Sequence, residues 1–157
     1  IVRALALSCN VYFSQLAKGL NFDDVALAAA ELGLEPPSGH DAESWIGARR
    51  EGWLVTPARL VAAYARLSTR HHDPLASGII EGLVQSGRSG TASALGGLAM
   101  AKTGTSPCAH ARKAPGDGWV AAMWPPESPK RVMLMRACGE PGSKTAGRVR
   151  AILRQSF

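Results

Sequence analysis

Cysteine, aromatic residues and long apolar runs are scarce in this chain, and each scarcity removes a class of protein. The three cysteines, Cys9, Cys108 and Cys138, cannot all pair with one another, which argues against a disulfide scaffold. Their spacing fits no zinc pattern, even with His110 beside Cys108, so no metal site is expected. Free thiols are the first reading and a Cys108 to Cys138 disulfide the second. Aromatic residues make up 6% of the chain, and no clustered Lys, Arg and aromatic motif is present, so no nucleic-acid partner is expected. The longest apolar runs, 25–30 and 118–124, fall far short of the roughly 20 residues a membrane span needs. An initiator Met is missing too. The chain opens IVRALALSCN with one basic residue and no small-residue cleavage pattern, so it reads as a piece of a longer protein with any signal or anchor upstream. Internal repeats and low-complexity tracts are absent.

What remains is a chain of 157 residues, 46% hydrophobic and 19% charged, enough for one compact unit with a real core. Eighteen Lys and Arg against twelve Asp and Glu give a net charge of +6, which suits an acidic polymer or an anionic surface.

The first half carries helical periodicity. Val11, Leu16 and Leu20, with Tyr12 and Phe13, place one apolar face on a helix ending near Gly19. Asn21, Asp23 and Asp24 supply a cap and first-turn acids for a second helix that Gly33 stops. From Gly33 the periodicity vanishes, and Pro36, Pro37, Gly39, Gly47 and Gly52 predict an irregular surface connection. Thr56 and Pro57 then start a helix through Leu60, Val61, Tyr64 and Leu67. Asp73 and Pro74 predict a fourth helix start, with a stop at Gly87.

The second half changes period. GWVAAMW and RVMLMRAC, separated by Pro125, Pro126 and Pro129, predict two antiparallel strands, with a third around Met100 to Thr105. The tail from Ser143 predicts a Ser-capped amphipathic helix that lays Val149, Ile152 and Leu153 on the sheet and leaves Lys144, Arg148, Arg150 and Arg154 largely wet. The fold class is therefore α+β: a helical half, 1–87, followed by a three-stranded antiparallel sheet and covering helix, 88–157.

Two short segments carry chemistry. In AKTGTS, Lys102 can stand in a cleft as a fixed positive charge, Gly104 leaves the strand edge open, and Thr103 and Thr105 offer hydroxyls to a carboxylate. In LALSCN, Ser8 and Asn10 flank one residue at a helix start and can face the same cleft. His71 and His72 sit at a helix end, His110 in a loop and His40 beside Asp41, and no G-x-S-x-G turn occurs, so a Ser-His-Asp reading is set aside.

In this order, SCN, the VTPARLVAAYARLS helix, KTG and the two strands after it resemble the transpeptidase domain of penicillin-binding proteins, which share a fold with serine β-lactamases. The likeness spans nearly the whole chain, 1–157. It departs from the pattern in that no serine here has Lys three residues later, Ser14 and Lys18 being four apart, and in that WIGARREGWLVTP lacks the Gly-Gln-Gly-like turn usual before that helix. The resemblance therefore implies the C-terminal part of such a domain, with the Ser-x-x-Lys nucleophile upstream. It further implies a periplasmic or otherwise extracytoplasmic location, peptidoglycan stem peptides and β-lactams as partners, and no cofactor. Ser8 would shuttle a proton, Asn10 hold the substrate amide, Lys102 supply charge, and Thr103, Gly104 and Thr105 receive the substrate carboxylate and backbone. The outer edge of the last strand would be bare and would recruit a second copy or an upstream fragment. Two other readings stand beside it: a non-catalytic relative that binds peptidoglycan or proteins through the same groove, and a basic nucleic-acid-binding module.

Overall fold

A computed structural model describes residues 1–46, 53–108 and 114–155; His110, Gly47 and Gly52 lie outside them. The elements in chain order are α1 (Val2–Ala6), α2 (Asn10–Ala17), α3 (Phe22–Glu31), α4 (Ala42–Trp45), α5 (Pro57–Thr69) and α6 (Ser77–Arg88). A 3-10 turn (Ser93–Leu95), β1 (Met100–Ser106), β2 (Asp117–Trp124), β3 (Arg131–Cys138) and α7 (Gly142–Arg154) follow. The chain is α+β, and its three strands run antiparallel in the order β1-β2-β3.

Where a cap was legible, the helix starts as expected. The Asn21 side chain accepts from Asp24 N at 2.9 Å, and Thr56 Oγ1 accepts from Arg59 N at 3.3 Å with Pro57 in the first turn. Elsewhere tertiary packing decides. Helix α1 is five residues long, too short to carry a period of its own, and it forms against α6. A Cβ on Gly82 of α6 would sit 2.9 Å from Leu5, so the glycine makes room for that crossing. The Asp73-Pro74 start is corrected by three residues: Asp73 accepts from Leu75 N in a local turn and pairs with Arg70, and α6 begins only at Ser77. Ser143 does not cap α7, whose N-cap is Pro141. The connection after Gly33 is more than surface. It contains α4, capped by Asp41, and its Trp45 indole donates to the Gly39 carbonyl at 2.9 Å.

The sheet is the centre of the core. On one face Ala101, Val120 and Ala122 pack with Leu95 and with Ala146, Val149 and Leu153 of α7. On the other, Met100 and Met123 pack with Leu83 of α6 and with Tyr64 and Leu67 of α5. Leu83, Leu95 and Leu153 are each no more than 2% exposed, worth about 2 kcal/mol apiece in transfer free energy. Of the four basic residues expected on the wet side of α7, Lys144, Arg148 and Arg154 are exposed and Arg150 is half-buried beside Gly96. One expectation about side-chain faces fails: Val11 and Leu16 of α2 stay 72% and 43% exposed because no described element covers that side.

Candidate active site

Register brings the KTG segment to the helical half. Lys102 stands opposite Ala121, and Gly104 opposite Trp119; among the described residues β1 pairs only with β2, which leaves its outer edge open there. Helix α1 ends at Ala6 and the chain turns at Ser8, which adopts φ 51°, the left-handed region. A non-glycine residue there costs of order 1 kcal/mol and needs surrounding contacts to hold it. Those contacts are polar ones across the cleft. Lys102 Nζ donates to Ser8 Oγ at 2.5 Å, although 94 residues separate the two in sequence. The same ammonium donates to the Thr103 carbonyl at 2.6 Å.

The hydroxyls continue beyond this pair. Thr103 Oγ1 donates to Thr91 Oγ1 at 2.7 Å, and Thr91 Oγ1 also lies 3.5 Å from both Ser8 Oγ and Ser86 Oγ. Thr91 and Ser86 are functional candidates that the sequence reasoning passed over, because a Thr after Gly in SGTAS has no local signature. Thr105 is placed differently. Its Oγ1 accepts from Gly142 N at 3.3 Å, which leaves its own proton available to a ligand, and Gly104 beside it is exposed. Asn10, the first residue of α2, joins Ser8, Lys102, Leu5, Phe13, Trp45 and Ile46 around a cavity of about 330 Å³. A larger cleft of about 740 Å³ adjoins it, bordered by Trp45, Trp53, Tyr64, Ser106 and Trp119. Ser106 Oγ accepts from the Trp119 indole at 2.9 Å, and burial pushes the Tyr64 phenol up to about 12, so it stays a neutral hydroxyl.

Burial also lowers the Lys102 pKa below its ordinary 10.5, because a partly desolvated ammonium is disfavoured against the neutral amine. The sign for stability follows. Between the lowered value and 10.5 the unfolded chain binds a proton that the folded chain does not, so stability rises with pH through that window and levels off above it. Below the lowered value the burial penalty is fully present. Urea melts of the wild type should show this rise on going from neutral to alkaline pH, and those of Lys102→Met should lose it; equal slopes would refute the assignment.

The three histidines among the described residues stand apart from this cleft: the rings of His71 and His72 meet at a tilt of 43° and His40 stacks on Phe22. One cluster of metal-type side chains is found among the described residues, Cys108, Asp117 and Cys138, and none of the three lines the cavity around Ser8.

No protein-family model matches the chain, and no curated protein matches it. Among solved structures, the crystal structure of the D,D-transpeptidase domain of peptidoglycan glycosyltransferase from Eggerthella lenta superposes on 96% of the chain with a TM-score of 0.66 at 19% identity. The chain spans 51% of the length of that structure. The chain thus shares the fold of about half of that D,D-transpeptidase domain.

Proposed function

We propose that the chain is the C-terminal part of a peptidoglycan D,D-transpeptidase domain, 1–87 forming its helical subdomain and 88–157 its sheet and closing helix. The observation that carries this reading is the 2.5 Å contact of Lys102 Nζ with Ser8 Oγ, which joins SCN and KTG in one cleft. In the complete domain a D-Ala-D-Ala stem peptide acylates a serine outside these 157 residues, and a second stem's amine releases the acyl group. Ser8 relays the proton toward the leaving nitrogen, with Lys102 as its charged neighbour. Asn10 holds the substrate amide, and the open edge at Gly104 pairs with substrate backbone. Thr105, already an acceptor from Gly142 N, donates to the substrate carboxylate. Thr103 can do so only by turning its hydroxyl away from Thr91. The setting is extracytoplasmic, and β-lactams are read by the same wall. The outer edge of β3 carries no strand among the described residues, and we assign its cover to a second copy or to strands of the parent domain.

A second reading, a non-catalytic groove that binds peptidoglycan, is favoured by the absence of any Ser-x-x-Lys in the chain. Both readings require carboxylate recognition, which titration calorimetry tests with an N-acylated D-Ala-D-Ala peptide. Binding should weaken about tenfold to a hundredfold in Lys102→Ala, the worth of a charge-assisted hydrogen bond, and similarly when the peptide carries a C-terminal amide. Equal binding by wild type and variant would sink both.

A further inference from the structure

At the far end of the sheet, strand register gathers three side chains that the cleft does not use. Asp117 opens β2 and pairs on one side with Ser106, the last residue of β1, and on the other with Cys138, the last residue of β3. The chain leaving β1 turns across this end, and Cys108 Sγ comes to 2.7 Å from Cys138 Sγ. Joining them at the roughly 2.05 Å of a disulfide asks the sulfurs to move by only about 0.7 Å. They are also too close to be fellow ligands of one metal ion, since two thiolates on a tetrahedral zinc with Zn–S of about 2.3 Å stand about 3.8 Å apart. Cys138 is exposed and Cys108 partly so, so an external reagent can reach both.

We propose that Cys108 and Cys138 are a redox pair, closed to a disulfide by exchange with a small-molecule or protein disulfide, that clamps the exit of β1 to the end of β3. The order of attack is set by protonation. The Cys138 thiol is pushed up to about 11, first by its hydrogen bond with Cys108, then by partial desolvation and the Asp117 carboxylate, so it keeps its proton near neutral pH and is a poor initial nucleophile. The Cys108 thiolate attacks one sulfur of the external disulfide; a mixed disulfide forms and the other sulfur leaves as a thiol, having taken up a proton. Cys138 then attacks Cys108 Sγ and releases the second thiol, which takes the Cys138 proton. Two electrons pass from the protein thiols to the external disulfide, and two thiols are produced. The bond closes a span of 30 residues that includes Trp119, whose indole donates to Ser106 Oγ just before the span, and so fixes one wall of the larger cleft.

The test equilibrates the full chain in mixtures of oxidised and reduced glutathione, alkylates the remaining thiols, and reads intact mass, peptide map and melting temperature. In the oxidising mixtures only Cys9 should alkylate, the Cys108 and Cys138 peptides should be linked, and the melting temperature should rise by roughly 5–10 °C, from loop-closure entropy. Cys138→Ser should stop at one stable glutathione adduct on Cys108. The proposal is overturned if all three thiols still alkylate after oxidation, if the link runs to Cys9 or to another chain, or if the reduced protein retains zinc that shields both cysteines. Carboxylate binding at Lys102 is measured separately, so failure here leaves the transpeptidase reading untouched.

Discussion

Arg136→Ala should melt about 10 °C below the wild type under reducing conditions. Asp117 is 1% exposed, and its Oδ2 accepts from Arg136 Nε at 2.7 Å and Nη2 at 2.6 Å. Removing the cation leaves a buried carboxylate without its counter-charge, which costs about 3–5 kcal/mol, and each kcal/mol is about 2–4 °C for a domain of this size. Part of the loss comes from Trp119, whose ring lies 5.7 Å beneath the guanidinium. Arg136 is itself only 29% exposed, so water cannot replace it in full. The double variant Asp117→Asn, Arg136→Met should recover most of the loss, because neither charge is then left alone. A single variant melting within about 2 °C of wild type, by differential scanning calorimetry, would mean the pair is screened as an exposed one is.

Benzylpenicillin should leave the intact mass of this chain unchanged. Acylation needs a serine whose proton is taken by an adjacent base, and here the candidate serine is placed the other way round. Ser8 Oγ receives a hydrogen bond from the Lys102 ammonium, and no serine of the chain has a lysine three residues on. Under the proposed function the antibiotic's carboxylate would dock in the cleft and the molecule would be released intact. Mass spectrometry after prolonged incubation decides the matter: a stoichiometric adduct mapped to Ser8, or to any serine of the chain, would overturn the assignment of the nucleophile to a segment outside these residues.

Strands were more legible than helices in this sequence, for a physical reason. RVMLMRAC is bounded by Pro129 on one side and Gly139 on the other, and β3 occupies those eight residues. The five residues of α1 hold together through α6, a partner more than seventy residues away that no local pattern can signal. The same holds for the cleft. Ser8, Lys102 and Asn10 stood out through short motifs, whereas Thr91 is marked only by where it ends up, within 2.7 Å of Thr103 Oγ1. Aromatic cover from Trp45 and Trp53 was hidden as well, because both lie in a stretch whose prolines and glycines mask any period. The apolar face of α2 misled in the other direction: the sequence pattern is real, but Val11 and Leu16 remain in contact with solvent.

A Cβ on Gly142 would fall 2.4 Å from the Gly104 carbonyl oxygen and 2.9 Å from its nitrogen. Two glycines thus stand back to back, and the partition between the first turn of α7 and the open edge of β1 is a single peptide plane. Such a thin wall conducts displacement. A ligand strand that pulled the Gly104 peptide outward would draw on the same Thr105 hydroxyl that anchors the Gly142 amide, so occupancy of the groove would be felt at the start of α7. Any bulkier residue at position 142 would push that wall toward the ligand from behind.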